Sequence, residues 1–142
     1  MADTRFDVLT IGNAIVDIIA RAEDDFLIRQ NMVKGSMALI DAARAVSLYD
    51  AMGPAIEISG GSAGNTAAGV ASFGGRCAYF GKVANDHLGG VFSHDIRAIG
   101  VTYETSKLEN AEPTARSMIL VTPDGERTMN TYLGACTALS PA

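Results

Sequence analysis

The sequence predicts an α/β fold with parallel strands, to which a smaller β-rich segment is attached. Between residues 55 and 100, short apolar runs alternate with segments of helical periodicity, the pattern of a parallel sheet with flanking helices. After residue 114, two alternating runs flank Pro123-Asp124-Gly125, which is a strong hairpin signal. The 142 residues, of which 48% are hydrophobic and 19% charged, suit one globular domain or part of a larger one.

Charge and apolar runs argue against two classes of partner. The net charge is -5 and lysine and arginine form no cluster, so we expect no nucleic-acid partner, because neutralising phosphates requires a positive surface. No apolar run approaches the roughly 20 residues that span a bilayer, and the N-terminus lacks the pattern of a signal peptide. We therefore expect no membrane partner and a cytoplasmic protein. Cys77 and Cys136, both in apolar surroundings, are interpreted as buried free thiols.

The elements before the hairpin follow from local signals. An apolar run at 6–11 predicts a buried strand ending at Gly12-Asn13, and residues 16–20 predict a second strand that leaves the first at an angle. Acidic residues early in 23–32 and Arg29 late in it suit a short helix and its dipole. The remaining predicted elements are a strand at 36–41, a helix at 42–53, a strand at 55–59, a helix at 65–73, a strand at 76–84 and a helix at 86–99.

The first strand of the hairpin is apolar on both faces. Met118 and Leu120 share one face, and Ile119 and Val121 share the other. Each face should therefore be covered by protein, by ligand or by a partner chain.

The stretch "EISGGSAGNTAAG", Glu57 to Gly69, joins a predicted strand to a predicted helix. It is not a G-x-G-x-x-G fingerprint, and Gly81-Lys82 followed by Val83 is not a phosphate P-loop. Free N–H groups at a helix start, with glycines beside them, let a ligand lie against the main chain. A tight turn that requires positive φ explains the same glycines, and the residues alone leave both interpretations open.

Two polar residues follow the first strand, at the edge where ligands bind in open α/β sheets. Asn13 and Asp17 lie there, and an ionised Asp17 can accept hydrogen bonds from two adjacent hydroxyls of one sugar. The alternative is an aspartate that caps a turn. With the amides of Gly60 and Gly61 and the carboxamide of Asn65, these residues suit a neutral polyol better than a phosphate.

The histidines and basic residues carry weaker signals. His87 and His94 are seven residues apart, which is about 10 Å along a helix, so we expect no shared metal. Arg127 and Lys82 could meet an anionic group, although a solvated salt bridge is the commoner fate of either residue.

Two motifs in this order resemble those of one enzyme family. "IGNAIVDI" at 11–18 and "SGGSAGNTAAGVASFGGRCAYFGKVANDHLG" at 59–89, with the hairpin after them, resemble the ribokinase-like (PfkB-type) carbohydrate and nucleoside kinases. The second stretch is similar to the N-terminal signature of that family. Within the family, "GNAIVDI" and the spacing of "DDFL" and "MALID" are most similar to adenosine-kinase-like members.

The resemblance implies a Rossmann-like parallel sheet with flanking helices and a small β-sheet lid. The core is expected at approximately 1–12 and 53–110, and the lid strands at approximately 16–20, 37–40 and 115–132. The implied reaction transfers the γ-phosphoryl group of ATP, with Mg²⁺, to a primary hydroxyl of a small-molecule sugar or nucleoside. Adenosine is the favoured acceptor, and a ribokinase- or fructokinase-type sugar is the alternative.

The resemblance also implies roles for single residues. Asp17 would accept hydrogen bonds from the sugar hydroxyls, assisted by Asn13, and Gly60, Gly61 and Asn65 would complete the cradle. Arg127 resembles a basic lid residue that approaches the transferred phosphoryl group.

The family's catalytic aspartate lies in a G-A-G-D motif, and these residues contain none. We therefore expect the base and the ATP pocket in an absent C-terminal half, and an inactive chain on its own. Ser140-Pro141, which suits a helix start, also suggests a fragment. Two questions stay open. The lid is covered either by a homodimer or by the rest of its own chain. The alternative function of the 142 residues is a non-catalytic binding or dimerisation module.

Overall fold

A computed structural model describes residues 4–141, which form two sheets with helices packed between and around them. The α/β class and the attached β sheet are confirmed. The elements are β1 (Val8–Ile11), β2 (Ile15–Arg21), α1 (Asp24–Arg29), β3 (Met37–Leu39), α2 (Ala42–Ala51), β4 (Ala55–Gly60), α3 (Ser62–Ser72), β5 (Cys77–Phe80), α4 (His87–Ala98), β6 (Ala115–Val121) and β7 (Arg127–Tyr132), followed by a 3₁₀ turn at Gly134–Ala138.

The smaller sheet pairs β1 with β5 in parallel, from Val8 opposite Cys77 to Ile11 opposite Phe80. One face of this sheet packs into the main core, where a cluster of three rings forms its centre. The ring of Tyr79 lies 5.7 Å from those of Phe92 and Tyr103, centroid to centroid. These three side chains are fully buried, so the ring cluster fixes α4 against β5.

The larger sheet, which we call the lid sheet, has the strand order β3-β7-β6-β2-β4. β2 runs parallel to β6 and antiparallel to β4. The predicted hairpin is confirmed, because β6 and β7 pair in antiparallel and the Thr122 N–H donates to the Glu126 carbonyl across the turn at 3.0 Å. Gly125 in that turn has a φ of 84°, a conformation that glycine adopts without strain.

One strand lies outside the sheet that the sequence analysis expected. Residues 53–110 were assigned to the core, but β4 pairs with β2 in the lid sheet, with Gly60 opposite Ile15. The alternation of a strand shows which side chains share a face and carries no information about its neighbour. The strand–helix–strand unit β4-α3-β5 therefore crosses from one sheet to the other, and the core begins at α3.

The two faces of the lid sheet differ in what covers them. Its inner face packs on the main core through Val16, Ile18 and Met118, all of which are fully buried. Its outer face carries Asp17 and a group of aliphatic side chains, of which Ile56 is 69% and Ile58 46% exposed. Among residues 4–141, no helix has the length and apolarity needed to cross a bilayer.

The ring cluster provides a direct test of the core. Phe92→Ala is expected to lower the free energy of unfolding by about 3–5 kcal/mol, because it removes a fully buried ring and leaves a cavity. Phe73, which is 93% exposed, is the matched control, and Phe73→Ala should change that free energy by less than about 0.5 kcal/mol. Urea unfolding followed by circular dichroism measures both, and equal effects would contradict this assignment of the core.

Candidate functional site

The candidate site lies where the chain passes between the two sheets. After β1 the main chain crosses into the lid sheet through Gly12-Asn13, and after β4 it returns through Gly60-Gly61 to begin α3. The pairing of Ile15 with Gly60 brings these two crossings side by side. The strand ends that the sequence analysis combined into one site are therefore adjacent in the structure.

Asp17 projects from the outer face of the lid sheet, between Ile58 of β4 and Ser117 of β6. Its side chain is half-buried, and no hydrogen bond from residues 4–141 engages its carboxylate. Burial raises the pKa of Asp17 above its ordinary value, and the positive charge of Arg127 opposes that rise. Residues 4–141 therefore leave the Asp17 carboxylate unused as a hydrogen-bond acceptor, and it is available to a ligand.

The two glycines are required for different reasons. At Gly60, any side chain would overlap the Asp17 carboxylate, so the bare main chain lies directly against that group. At Gly61, φ is 83° and a Cβ atom would lie only 2.5 Å from the Asn13 carbonyl oxygen. The tight turn considered in the sequence analysis is therefore present at Gly61, whereas Gly60 is bare because of Asp17.

The helix that follows the turn offers donors toward the same junction. The main-chain N–H of Asn65 donates to the Gly61 carbonyl at 2.8 Å and so forms the first hydrogen bond of the α3 ladder. No side chain caps the start of α3, so the N–H groups of its first residues have no partner within the helix. The side chains of Asn13 and Asn65 are both exposed, on either side of the turn.

The remaining predicted polar residues divide into two groups. Arg127 is exposed at the start of β7 and close enough to Asp17 for its charge to affect that carboxylate. The histidines contact different carboxylates: His87 Nε2 lies 3.2 Å from Glu57, and His94 Nδ1 lies 3.3 Å from Asp95. Arg127 thus belongs to the surroundings of Asp17, and the histidines do not.

The lysine and the cysteines also lie apart from Asp17. Lys82 Nζ donates to the Ser106 hydroxyl at 3.1 Å. Cys77 and Cys136 are buried and unpaired, as the sequence analysis predicted.

The other side chains beside Asp17 were not predicted from the sequence. Ser117 lies opposite Asp17 in the parallel pairing of β2 and β6, and its hydroxyl is 2.9 Å from that of Thr131. Ile58 flanks Asp17 on the other side, and Ile19 follows it on the same face. The alternating apolar residues in each strand were visible in the sequence, but only the register places them around one carboxylate.

Comparisons with known proteins agree with this architecture. Residues 28–142 match the model of the pfkB family carbohydrate kinases. The crystal structure of adenosine kinase from Sinorhizobium meliloti is 67% identical, with a TM-score of 0.91 over 97% of this chain and 42% of that one. A probable sugar kinase protein from Rhizobium etli CFN 42 is 66% identical, with a TM-score of 0.92 over 98% of this chain and 42% of that one.

Sequence relatives extend the same similarity. Probable fructokinase-4 of Arabidopsis thaliana is 31% identical over 93 residues, which are 66% of this chain and 28% of that protein. The chain thus spans well under half the length of the relatives it matches. By the extent of the family match, the chain belongs to the pfkB family of carbohydrate kinases.

Proposed function

We propose that this chain is the acceptor-binding part of an ATP-dependent kinase that phosphorylates a primary hydroxyl of a nucleoside, adenosine being the favoured acceptor. The observation that carries the proposal is the Asp17 carboxylate, which receives no hydrogen bond from residues 4–141 and lies half-buried against the bare main chain of Gly60. The relatives' names support the class, since they include an adenosine kinase, a sugar kinase and a fructokinase.

A pair of neighbouring hydroxyls matches the chemistry of the junction. Each hydroxyl can donate to the ionised Asp17 and accept from an N–H of the α3 start or from the Asn65 carboxamide. A phosphate could not donate to Asp17 and would be repelled by its charge. We therefore expect the acceptor to be bound through its sugar ring. Asn13 and Asn65 would lie on either side of that ring.

The outer face of the lid sheet favours a nucleoside over a free sugar. Beyond Asp17, this face continues into the aliphatic side chains of Ile19, Ile56 and Ile58. A free sugar has hydroxyls on most of its carbons and gains little from aliphatic surface, whereas a purine has two apolar ring faces to bury there. The second candidate, a fructokinase- or ribokinase-type acceptor, is supported by the fructokinase relatives.

We identify no site for ATP or Mg²⁺ among the residues described here. Within residues 4–141, no group of three histidine, cysteine, aspartate or glutamate side chains could hold a metal ion. No G-A-G-D motif supplies a base either. We assign nucleotide, metal and base to a further part of the polypeptide, and we propose that Arg127 is the residue of this chain nearest the transferred phosphoryl group.

An uncovered surface on the smaller sheet is consistent with such a further part. Leu9 and Ile11 are 59% and 69% exposed, and they share a face with Phe80. Parallel strands are normally covered on both faces, and β1 pairs on one side only. A cavity of about 660 Å³ borders this face, between Phe80 and Leu139.

We propose that the remaining polypeptide covers this surface and that the outer face of the lid sheet receives the acceptor. A homodimer through the lid sheet is the alternative.

The proposed function is tested with the chain joined to the remaining part of the Sinorhizobium meliloti kinase, which we call the extended kinase. With ATP and Mg²⁺, it should phosphorylate adenosine more efficiently than ribose or fructose. A preference for fructose would favour the second candidate. A folded extended kinase that phosphorylates none of the three would refute the kinase proposal.

Asp17→Asn should weaken adenosine binding by about 100-fold or more, because two charge-assisted hydrogen bonds become neutral ones. The melting temperature should stay unchanged or rise, since burial raises the folded-state pKa of Asp17 and the ionised form therefore destabilises the folded chain. Calorimetric titration and thermal unfolding measure the two effects. Asp50→Asn, on the exposed side of α2, is the matched control and should change neither.

The pH dependence follows from the same carboxylate. Adenosine affinity should be constant at neutral pH. It should fall as the pH decreases through the pKa of Asp17, where the Asp17 carboxylate becomes protonated. Because burial raises that pKa above 3.8, the loss begins at a higher pH than an ordinary aspartate would give. Asp17→Asn should remove this dependence, and its persistence in that variant would assign the titration to another group.

Gly60→Ala is expected to reduce adenosine affinity by at least about 10-fold, because the new methyl group overlaps the Asp17 carboxylate and displaces it. Gly69→Ala is the matched control, since Gly69 lies in α3 with open space around it. That substitution should leave affinity unchanged and stabilise the helix by about 0.5–1 kcal/mol. Similar affinities in the two variants would show that the Gly60 contact does not shape the site.

Ile11→Lys tests the uncovered surface. In the extended kinase it should lower the free energy of unfolding by about 2 kcal/mol or more, because a charge is then buried under the added polypeptide. In the 142-residue chain alone the effect should be small, since Ile11 is exposed there. Ile28, 71% exposed on α1, is the control, and Ile28→Lys should be tolerated in both. A tolerated Ile11→Lys in the extended kinase would place the remaining polypeptide elsewhere.

A further inference from the structure

Asp86 makes a set of contacts that the proposed acceptor site does not use. It precedes α4 and lies within the signature stretch, far from Asp17 in sequence. Its carboxylate is half-buried and accepts three hydrogen bonds. The donors are the Gly89 N–H at 2.8 Å, the Thr114 hydroxyl at 2.6 Å and the Thr114 N–H at 2.9 Å.

Thr114 is held from both sides. Its side chain is fully buried, and its hydroxyl accepts from the Ala84 N–H at 2.9 Å while it donates to Asp86. All the polar groups in this network therefore have partners in a buried setting, where hydrogen bonds are strong and their loss is costly. We call the contacts between Asp86 and Thr114 the clasp.

The clasp lies where the chain enters the lid sheet for the second time. Thr114 immediately precedes β6, and the carbonyl of its neighbour Pro113 accepts from the Ala135 N–H just after β7, at 2.8 Å. Gly134 has a φ of 42°, and a Cβ atom there would overlap the Pro113 carbonyl. The start of β6 and the end of β7 are thus fixed together and fixed to α4.

A direct route connects the clasp to Asp17. Ser117, three residues after Thr114, lies opposite Asp17 in the parallel pairing of β6 with β2. A shift or rotation of β6 at Thr114 would therefore be passed to β2 and would move Asp17 relative to the start of α3. We propose that Asp86 is a positioning residue, which anchors the lid sheet to α4 through Thr114 and so holds Asp17 at the acceptor-binding junction.

The ionised state of Asp86 supports this role. Burial acts to raise its pKa, but the hydrogen bonds from Thr114 and Gly89, together with the nearby charge of Arg116, leave the pKa below its ordinary value. At neutral pH the carboxylate is therefore charged and accepts hydrogen bonds only, as the three contacts require.

A role as a simple helix cap would explain only one of the contacts. Asp41 illustrates that role, because its carboxylate accepts from the Arg44 N–H at 2.7 Å at the start of α2 and, within residues 4–141, makes no hydrogen bond to a lid strand. Asp86 caps α4 through Gly89 in the same way, but its two bonds to Thr114 cross to another element. The chain thus contains a matched control for the cap alone.

Hydrogen exchange of the ligand-free chain tests the anchoring. Serine at position 86 can still cap α4 but is too short to reach Thr114, so Asp86→Ser should raise amide exchange at 113–121 and 127–135 by about 10-fold while α4 stays protected. Asp41→Ser, the matched control, should leave both segments unchanged. An increase spread evenly over the chain, or equal results for the two variants, would overturn the proposal.

Thr114 provides a second variant if Asp86→Ser fails to fold. Thr114→Val, which keeps the shape and removes the hydroxyl, should raise exchange in the same segments, and Thr114→Ser should restore protection. Combined with Asp86→Asn, Thr114→Val should add less exchange than it does alone, because both substitutions disrupt the hydrogen bond between these two side chains. Additive effects would show that the two residues act separately.

The link to Asp17 rests on the proposed function and has its own measurement. Asp86→Asn should weaken adenosine binding by several-fold at temperatures where the variant is fully folded, whereas Asp41→Asn should not. Unchanged affinity in Asp86→Asn would overturn the positioning role. If the wild-type chain and the extended kinase bind no nucleoside, the proposed function fails, and the exchange experiment still decides whether Asp86 anchors the lid.

Discussion

The close approach of the Gly60 main chain to the Asp17 carboxylate is the contact on which the rest of this molecule depends. It requires a residue without a side chain at the end of β4, and it requires β4 to pair with β2 so that Gly60 lies opposite Ile15. That pairing in turn makes the chain return to the smaller sheet through Gly61, whose positive φ starts α3 beside the same carboxylate. One steric constraint therefore sets the turn, the helix start and the surroundings of the acidic group.

The structure also separates stability from binding. The core is held by packing around Tyr79, Phe92 and Tyr103, none of which is a residue of the candidate acceptor site. Asp17, by contrast, is partly removed from water and receives no hydrogen bond from residues 4–141 in return. A half-buried carboxylate without a partner weakens the folded state, which is typical of groups that are used by a ligand. The ligand that we propose for this group, a neutral polyol, would supply the hydrogen-bond donors.

The crossings beside Asp17 and the crossing at Thr114 have complementary roles. At the first, the chain passes through glycines and leaves an open junction at Asp17. At the second, Thr114 and Asp86 are fully hydrogen-bonded, and the Pro113 carbonyl joins the start of β6 to the end of β7. Because the lid sheet is attached by hydrogen bonds at Thr114, its outer face is held in a defined position beside the open junction at Asp17. An acceptor site built on two sheets requires such a defined position.

Much of this protein was determined by its sequence alone. The hairpin about Pro123-Asp124-Gly125, the first strand and the helix at 86–99 follow from local turn chemistry and periodicity. The expected burial of that first strand is wrong for the described residues, because Leu9 and Ile11 are exposed. The polyol site at Asp17 and the glycine stretch stays a prediction. The tertiary structure alone decided that β4 joins the lid sheet, that Ser117 and Ile58 flank Asp17, and that Asp86 reaches Thr114. The physical reason is that periodicity defines which side chains share a face, whereas the register between strands distant in sequence is set by packing across the whole fold.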